Sequence, residues 1–258
     1  MTNKLKFKML TPAIGELVLS QPERRNALNA AMWAHLPVIL KQAADAKGLR
    51  ALILRGDGDH FASGADITEF ETLYATPESA KSISDDIAAG FNALAQFPMP
   101  TIAMIRGACV GGGCGLALAC DVRFADSTSR YAITPAKLGL LYPFGDVQRL
   151  IETVGIPNAK DMLFSARPVN AKTARKMGLI NQLFKVDNLE AKTLDYAQSI
   201  ANLSPSSLRV SKQMFAAYQA GQSGETAQSM DWFLDGFASA DFKEGYKAFL
   251  EKRKPNFS

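Results

Sequence analysis

The stretch between Arg106 and Asp121 constrains the fold most. It carries no charged side chain, is shorter than the ~20 residues a membrane-spanning helix needs, and contains Gly107, Gly111, Gly112, Gly113 and Gly115. Glycine at that density disfavours a long regular helix and suits a tight, buried turn that another backbone or a ligand approaches closely. A second stretch, Ala62-Ser63-Gly64-Ala65-Asp66-Ile67, follows the same plan: a strand end, small residues, then a helix start. If each loop ends at a helix N-terminus, its N–H groups point outward with partial positive charge. One N–H from each loop could then converge on a single oxygen and stabilise it as it becomes negative. A tight turn with close helix packing is the purely structural alternative.

The flanking sequence reads as an α/β core. Residues 16–20, 50–55, 101–105 and 121–125 are short apolar runs with strand character. Residues 29–47 read as a helix with Asn29 as N-cap, which Pro37 kinks or delays. Residues 77–96 read as a helix capped by Thr76, with Ala80, Ile83, Ile87, Phe91 and Leu94 as its buried stripe. A short apolar helix is expected over 116–119. After Asn170 the pattern is helical. Ser204 and Pro205 open one helix, Met230, Phe233, Leu234 and Phe237 stripe another, and Asp241 with Glu244 reads as a capping box for a third. These helices carry more aromatic surface than a small unit buries, which suits either a partner subunit or the parent domain.

Composition excludes several classes. With 258 residues, 47% apolar and 21% charged, the chain is globular: one large α/β unit or two modest domains. A net charge of +4 from scattered lysines gives little support for a nucleic-acid partner. The amino-terminal stretch has no apolar export region, so a cytoplasmic location is expected. Cys109, Cys114 and Cys120, an odd set with neither His35 nor His60 alongside, read as small buried thiols and not as a metal site. His60 is expected at the surface and His35 in a structural helix position. No G-x-S-x-G elbow marks a serine hydrolase.

Several motifs together resemble the crotonase (enoyl-CoA hydratase/isomerase) superfamily over nearly the whole chain. They are Glu23-Arg24-Arg25-Asn26-Ala27-Leu28-Asn29, Ser63-Gly64-Ala65-Asp66-Ile67, the Gly111–Gly115 run followed by Asp121, and Gln148-Arg149-Leu150. Ala171 with Ala174, Gly178-Leu179-Ile180 and the ending from Phe249 to Phe257 complete the likeness. It implies an α/β spiral of repeated β-β-α units over 1–195, a helical trimerisation region over 196–258, and an acyl-CoA thioester as ligand. Coenzyme A would then be part of the substrate, with no other cofactor and no membrane partner, in a homotrimer or dimer of trimers. The resemblance assigns the oxyanion hole to the N–H groups of Ala65 and Gly112. It sets Arg24, Ala27, Asp66 and Ile67 along the coenzyme A site, Arg24 and Ala27 near the adenine, with Asp66 holding its loop or capping a helix. Basic residues 247–254 would meet the phosphates or simply face solvent.

The chain departs from the hydratase pattern at two positions. The glutamates that hydratases of this family use fall on Gly115 and, after Pro135, on Ala136. Hydration needs one group to activate water and another to deliver a proton, and glycine and alanine do neither. The run from Thr134 to Asp146 most resembles the methylmalonyl-CoA decarboxylase branch, which differs in having a histidine at Ala65 and an acid at Gly115. An enolate left by loss of CO2 needs oxyanion donors and only a weak proton source, and Tyr142 could orient the leaving carboxylate or reprotonate carbon. Alternatively Asp146 is the sole base of a double-bond shift. Structural alternatives are an N-cap role for Asp146, for a helix starting at Val147, and core packing with a bonded hydroxyl for Tyr142. The expected function is therefore decarboxylation or isomerisation through an enolate. A catalytically silent acyl-CoA-binding protein or a hydratase with relocated acids are the alternatives.

Overall fold

The computed structural model describes residues 3–257. β1 (Leu5–Met9) and β2 (Ile14–Leu19) pair antiparallel, α1 (Ala30–Ala44) follows, and β3 (Ala51–Gly56) pairs parallel with β2. The short α2 (Phe70–Leu73) and long α3 (Pro77–Ala95) lead to β4 (Thr101–Ile105), which lies parallel to β3. Asn29 caps α1, accepting from the Met32 N–H at 2.9 Å, so Pro37 does not delay the helix; α1 runs through it. Thr76 caps α3 in a reciprocal box with Ser79.

Past β4 the chain enters a repeating unit: one strand in a large sheet, one in a small sheet, then a helix. β4 gives way to β5 (Ala108–Val110) and α4 (Gly112–Ala119). β6 (Val122–Asp126) and β7 (Arg130–Ala132) precede α5 (Phe144–Ser165), which is broken at Gly155. β8 (Val169–Asn170), α6 (Ala171–Lys176) and β9 (Gln182–Phe184) complete the pattern. The large sheet has the order β1-β2-β3-β4-β6-β9, and the small one β5-β7-β8. The apolar helix expected over 116–119 starts earlier, at Gly112, because the glycine run supplies its first turn. β9 interrupts the helical pattern expected after Asn170.

The large sheet is buried on both faces, and its residues alternate between two clusters, as the two-residue period of a strand requires. Leu52, Leu54, Ala103 and Ile105 face the α1, α3 and α4 side, with Trp33, Leu36, Phe91 and Leu94. Ala51, Ile53, Ile102 and Met104 face α7 (Leu189–Ala201), with Leu189, Ala197 and Ala201. The 195/196 division therefore falls inside α7.

α8 (Pro205–Gln219), α9 (Ala227–Ala238) and α10 (Ala240–Leu250) end the chain. Ser204 caps α8 as expected, but the Asp241–Glu244 capping box does not form. Ser239 caps α10 instead, accepting from the Phe242 N–H at 3.0 Å. Asp241 is buried and accepts from the Ser204 and Ser206 hydroxyls, each at 2.6 Å, so it joins α10 to α8. Glu244 pairs with Arg253 at 2.6 Å, which compensates one cation of the basic segment. Phe233, Phe237, Phe242 and Tyr246 form a continuous, exposed aromatic row across α9 and α10. Among the described residues no helix is long and apolar enough to cross a membrane.

Arg123 joins the repeating units. Although buried, it donates to Cys120 O (2.9 Å), Leu179 O (2.8 Å) and Ala117 O (3.4 Å). It thus satisfies carbonyls at the C-terminal end of α4, where a cation also suits the helix dipole. Arg123→Met fills similar space and leaves those carbonyls unpaired, so urea unfolding should report a loss of about 2–4 kcal/mol.

Candidate active site

Two short parallel bridges build the site. The Ala62 N–H donates to Ala108 O and the Val110 N–H to Ala62 O, each at 2.9 Å, which fixes the first glycine-containing loop against the second. The Leu28 N–H donates to Gly64 O (2.7 Å) and the Asp66 N–H to Leu28 O (2.8 Å). In that parallel geometry Ala65, opposite Leu28, turns its own N–H to the other side. Gly112 is the first residue of α4, where a helix offers its N–H no acceptor. Among the described residues neither N–H donates to a loop carbonyl. A methyl group placed on Gly112 would lie 3.8 Å from the Ala65 nitrogen, so the two amides border one space.

Asp66 serves the loop. It caps the 3-10 turn Ile67–Glu69, accepting from the Thr68 N–H (3.2 Å) and hydroxyl (2.7 Å), and pairs with Arg24 at 2.7 Å. Its partial burial would raise the carboxyl, but the bonds from Thr68 and Arg24 outweigh it and hold Asp66 below the usual carboxylate range. Arg24 is thereby tethered yet half-exposed, Ala27 is buried, and Ile67 is 60% exposed at the mouth of the loop.

Under the Gly112 end the packing is aromatic. The methyl on Gly112 would meet Trp33 Cζ2 at 3.1 Å, and Trp33 stacks edge-on to Phe91 with centroids 5.2 Å apart. Phe91 lies against Gly115: a Cβ there would sit 2.6 Å from Phe91 Cζ. The space that any side chain at 115 would need is therefore filled by a buried ring. Arg149 covers the other side of that ring at 5.9 Å and donates to Asn92 (2.9 Å) and Asp146 (3.0 Å).

Asp146 is not an N-cap. α5 starts two residues earlier, at Phe144, and Asp146 sits in its first turn, 3% exposed. Burial pushes its carboxyl up to about 6, the Arg149 guanidinium only partly offsetting it. Tyr142 does not have the bonded hydroxyl that core packing predicts. Its oxygen is buried without a partner among the described residues, and burial, then the nearby Asp146 charge, moves its pKa well up. An unpaired buried hydroxyl costs ~1–3 kcal/mol, so it marks a place where a ligand group would be welcome. His60 is half-buried and not simply solvated: its Nδ1 accepts from the Ala108 N–H at 3.1 Å. The three cysteines are buried free thiols.

Trp33, Phe91, Arg149 and His60 were not expected at the site. Arg149 had a signal, since it lies in the Gln148-Arg149-Leu150 motif. The aromatic pair had none, because Phe91 reads as an ordinary member of a helix stripe.

Comparison with known proteins places this architecture. Residues 11–258 match the family model described as enoyl-CoA hydratase/isomerase. The chain is 35% identical over 243 residues to 2,3-dehydroadipyl-CoA hydratase of Escherichia coli K12, covering 93% of each. It is 33% identical over 249 residues to crotonyl-CoA hydratase of Syntrophomonas wolfei, again covering 93% of each. Among solved structures, a Hyphomonas neptunium protein provisionally named for the enoyl-CoA hydratase/isomerase family superposes with TM-score 0.95 at 42% identity, over 99% of this chain and 97% of that one.

Asp146 holds its proton more tightly folded than unfolded, so the folded state loses stability as pH rises from about 4 to about 6. Asp146→Asn lacks that loss. Its stability relative to the parent should therefore climb over this interval and level off above pH 7, in urea titrations at pH 4.5, 6 and 7.5. A difference independent of pH would contradict a raised Asp146.

Proposed function

Because the chain belongs to the enoyl-CoA hydratase/isomerase (crotonase) family, we propose that it converts an acyl-CoA thioester through an enolate, using one acid to move a proton between carbons. The observation that carries this is the pair of unbonded amides, Ala65 and Gly112, bordering one space; Asp146, buried and pushed up to about 6, is the acid that this reading assigns to them. In this reading the thioester oxygen accepts from both N–H groups, so the charge left when an α- or γ-proton departs is stabilised. Asp146, ionised, takes the proton from one carbon and returns it to another. The double bond shifts, and the carboxylate is regenerated. An acid near pH 6 suits that double duty, because neither direction of transfer is steeply uphill. Coenzyme A is part of the substrate, Arg24 and Ala27 lie toward its adenine, and Ile67 flanks its arm. Exposed aromatics on α9 and α10 support a homotrimer, and three free thiols support the cytoplasm.

Hydration has the names of the curated relatives on its side. Against it stand Gly115, whose side-chain space Phe91 occupies, and Ala136, which together leave Asp146 without a second acid. Decarboxylation has one specific observation in its favour: the unpartnered Tyr142 hydroxyl, close enough to Asp146 to feel its charge, could donate to a substrate carboxylate.

Assays with a 3-enoyl-CoA, methylmalonyl-CoA and crotonyl-CoA separate the readings. Isomerisation of the first is expected. CO2 release from the second selects decarboxylation, hydration of the third overturns the argument from Gly115 and Ala136, and binding without turnover marks a silent protein. Gly112→Pro removes one donor at a position where a helix accepts proline, and should lower kcat ~100- to 1,000-fold. Gly112→Ala makes the same contact with Trp33 but keeps its N–H, so the gap between the two variants isolates the donor.

A further inference from the structure

We propose that His60 is a positioning residue for the oxyanion hole, acting through the main chain of the Gly107–Gly112 loop. The proposal rests on Ala65 and Gly112 serving as the oxyanion donors. Three loops must hold register for those two amides to border one space: the turn at 21–28, the loop at 57–66 and the loop at 107–112. Strand pairing alone joins the last two at a single bridge, Ala62 with Cys109. His60 adds a second tie two residues earlier, its Nδ1 accepting from the Ala108 N–H at 3.1 Å. The Phe61 N–H donates to Arg106 O at 2.9 Å, so the imidazole and the main chain grip opposite sides of Gly107.

The absence of a side chain at 107 admits this arrangement. A Cβ on Gly107 would lie 2.3 Å from His60 Nδ1 and 2.3 Å from Asp59 O, and the residue has φ +49. The third loop is held from the other end of the same residue. Asn26, fully buried, donates to His60 O (2.6 Å) and Asp57 O (2.9 Å) while accepting from the Gln21 N–H (2.9 Å). His60 thus receives the 21–28 turn on its carbonyl and holds the 107–112 loop with its ring. Accepting at Nδ1 requires that nitrogen to be unprotonated, so a neutral ring carries its hydrogen on Nε2. Without the ring the Ala108 N–H loses its acceptor, and the loop keeps its main-chain ties to Phe61, Ala62 and Ala132 with one anchor fewer to aim Gly112. A displacement of about 1 Å at a reacting centre costs on the order of 100-fold.

The test compares His60→Ala, His60→Asn, whose Oδ1 replaces the Nδ1 acceptor, and His60→Leu, of similar volume without one. The probe is cinnamoyl-CoA, whose absorption moves to longer wavelength when its carbonyl accepts strong hydrogen bonds. The parent should shift the bound probe; His60→Ala and His60→Leu should bind it within about threefold of the parent yet lose most of the shift; His60→Asn should recover it. On the substrate turned over, kcat should fall roughly 10- to 100-fold in the Ala and Leu variants with KM nearly unchanged, and return in Asn. A full shift in His60→Ala, or Asn no better than Leu, overturns the role of His60. No shift in the parent overturns the oxyanion reading itself. If His60→Ala does not fold, the Asn and Leu pair carries the comparison.

Discussion

Neither candidate donor of the site is a side chain, so its geometry depends on how the backbone is held. The bridge between Ala62 and Cys109 sets the 57–66 and 107–112 loops parallel, and the Leu28 bridge turns the Ala65 N–H away from its neighbour strand. Main-chain donors cannot be moved by a rotamer change and need no reorganisation as charge develops, which makes them effective and also unforgiving. The buried Gln21, Asn26 and Asp66 and the half-buried His60 all spend hydrogen bonds on fixing loops.

A second layer of the site is made of groups that compensate one another. Asp146 is buried enough to resist ionisation, and Arg149 prevents the cost from becoming prohibitive. Arg149 in turn rests on the Phe91 ring and on Asn92, so α3 supports a charge pair that belongs to α5. Tyr142 remains unsatisfied beside them. The cluster thus keeps one open valence, as the Ala65 and Gly112 amides keep theirs, and a bound acyl group is what the proposed function supplies to them.

Much of this was legible in the sequence. Strands β2, β3 and β4 are apolar runs with glycine or proline near their ends, β6 is a short run after Asp121, and Asn29, Thr76 and Ser204 cap the helices that their side chains predict. The paired glycine loops suggest one outward N–H from each, and the family resemblance narrows these to Ala65 and Gly112. What escaped were β1, which was not expected although it alternates apolar residues with lysines, and the strands of two or three residues, β5, β7, β8 and β9, too short to show a period. Asp241 was misread because a carboxylate one turn from Glu244 looks like a cap, whereas tertiary contacts with Ser204 and Ser206 claim it. His60 was misread because a polar residue at a loop edge looks solvated, and only the missing side chain at Gly107 makes room for it.

The Phe91 ring against Gly115 also bears on the history and future of the chain. A glutamate placed at 115 would collide with the ring as it stands, whereas shrinking Phe91 alone would strip support from Trp33 and Arg149. A side chain at 115 and the ring at 91 therefore compete for one volume, so a second acid at this place requires the two positions to change together.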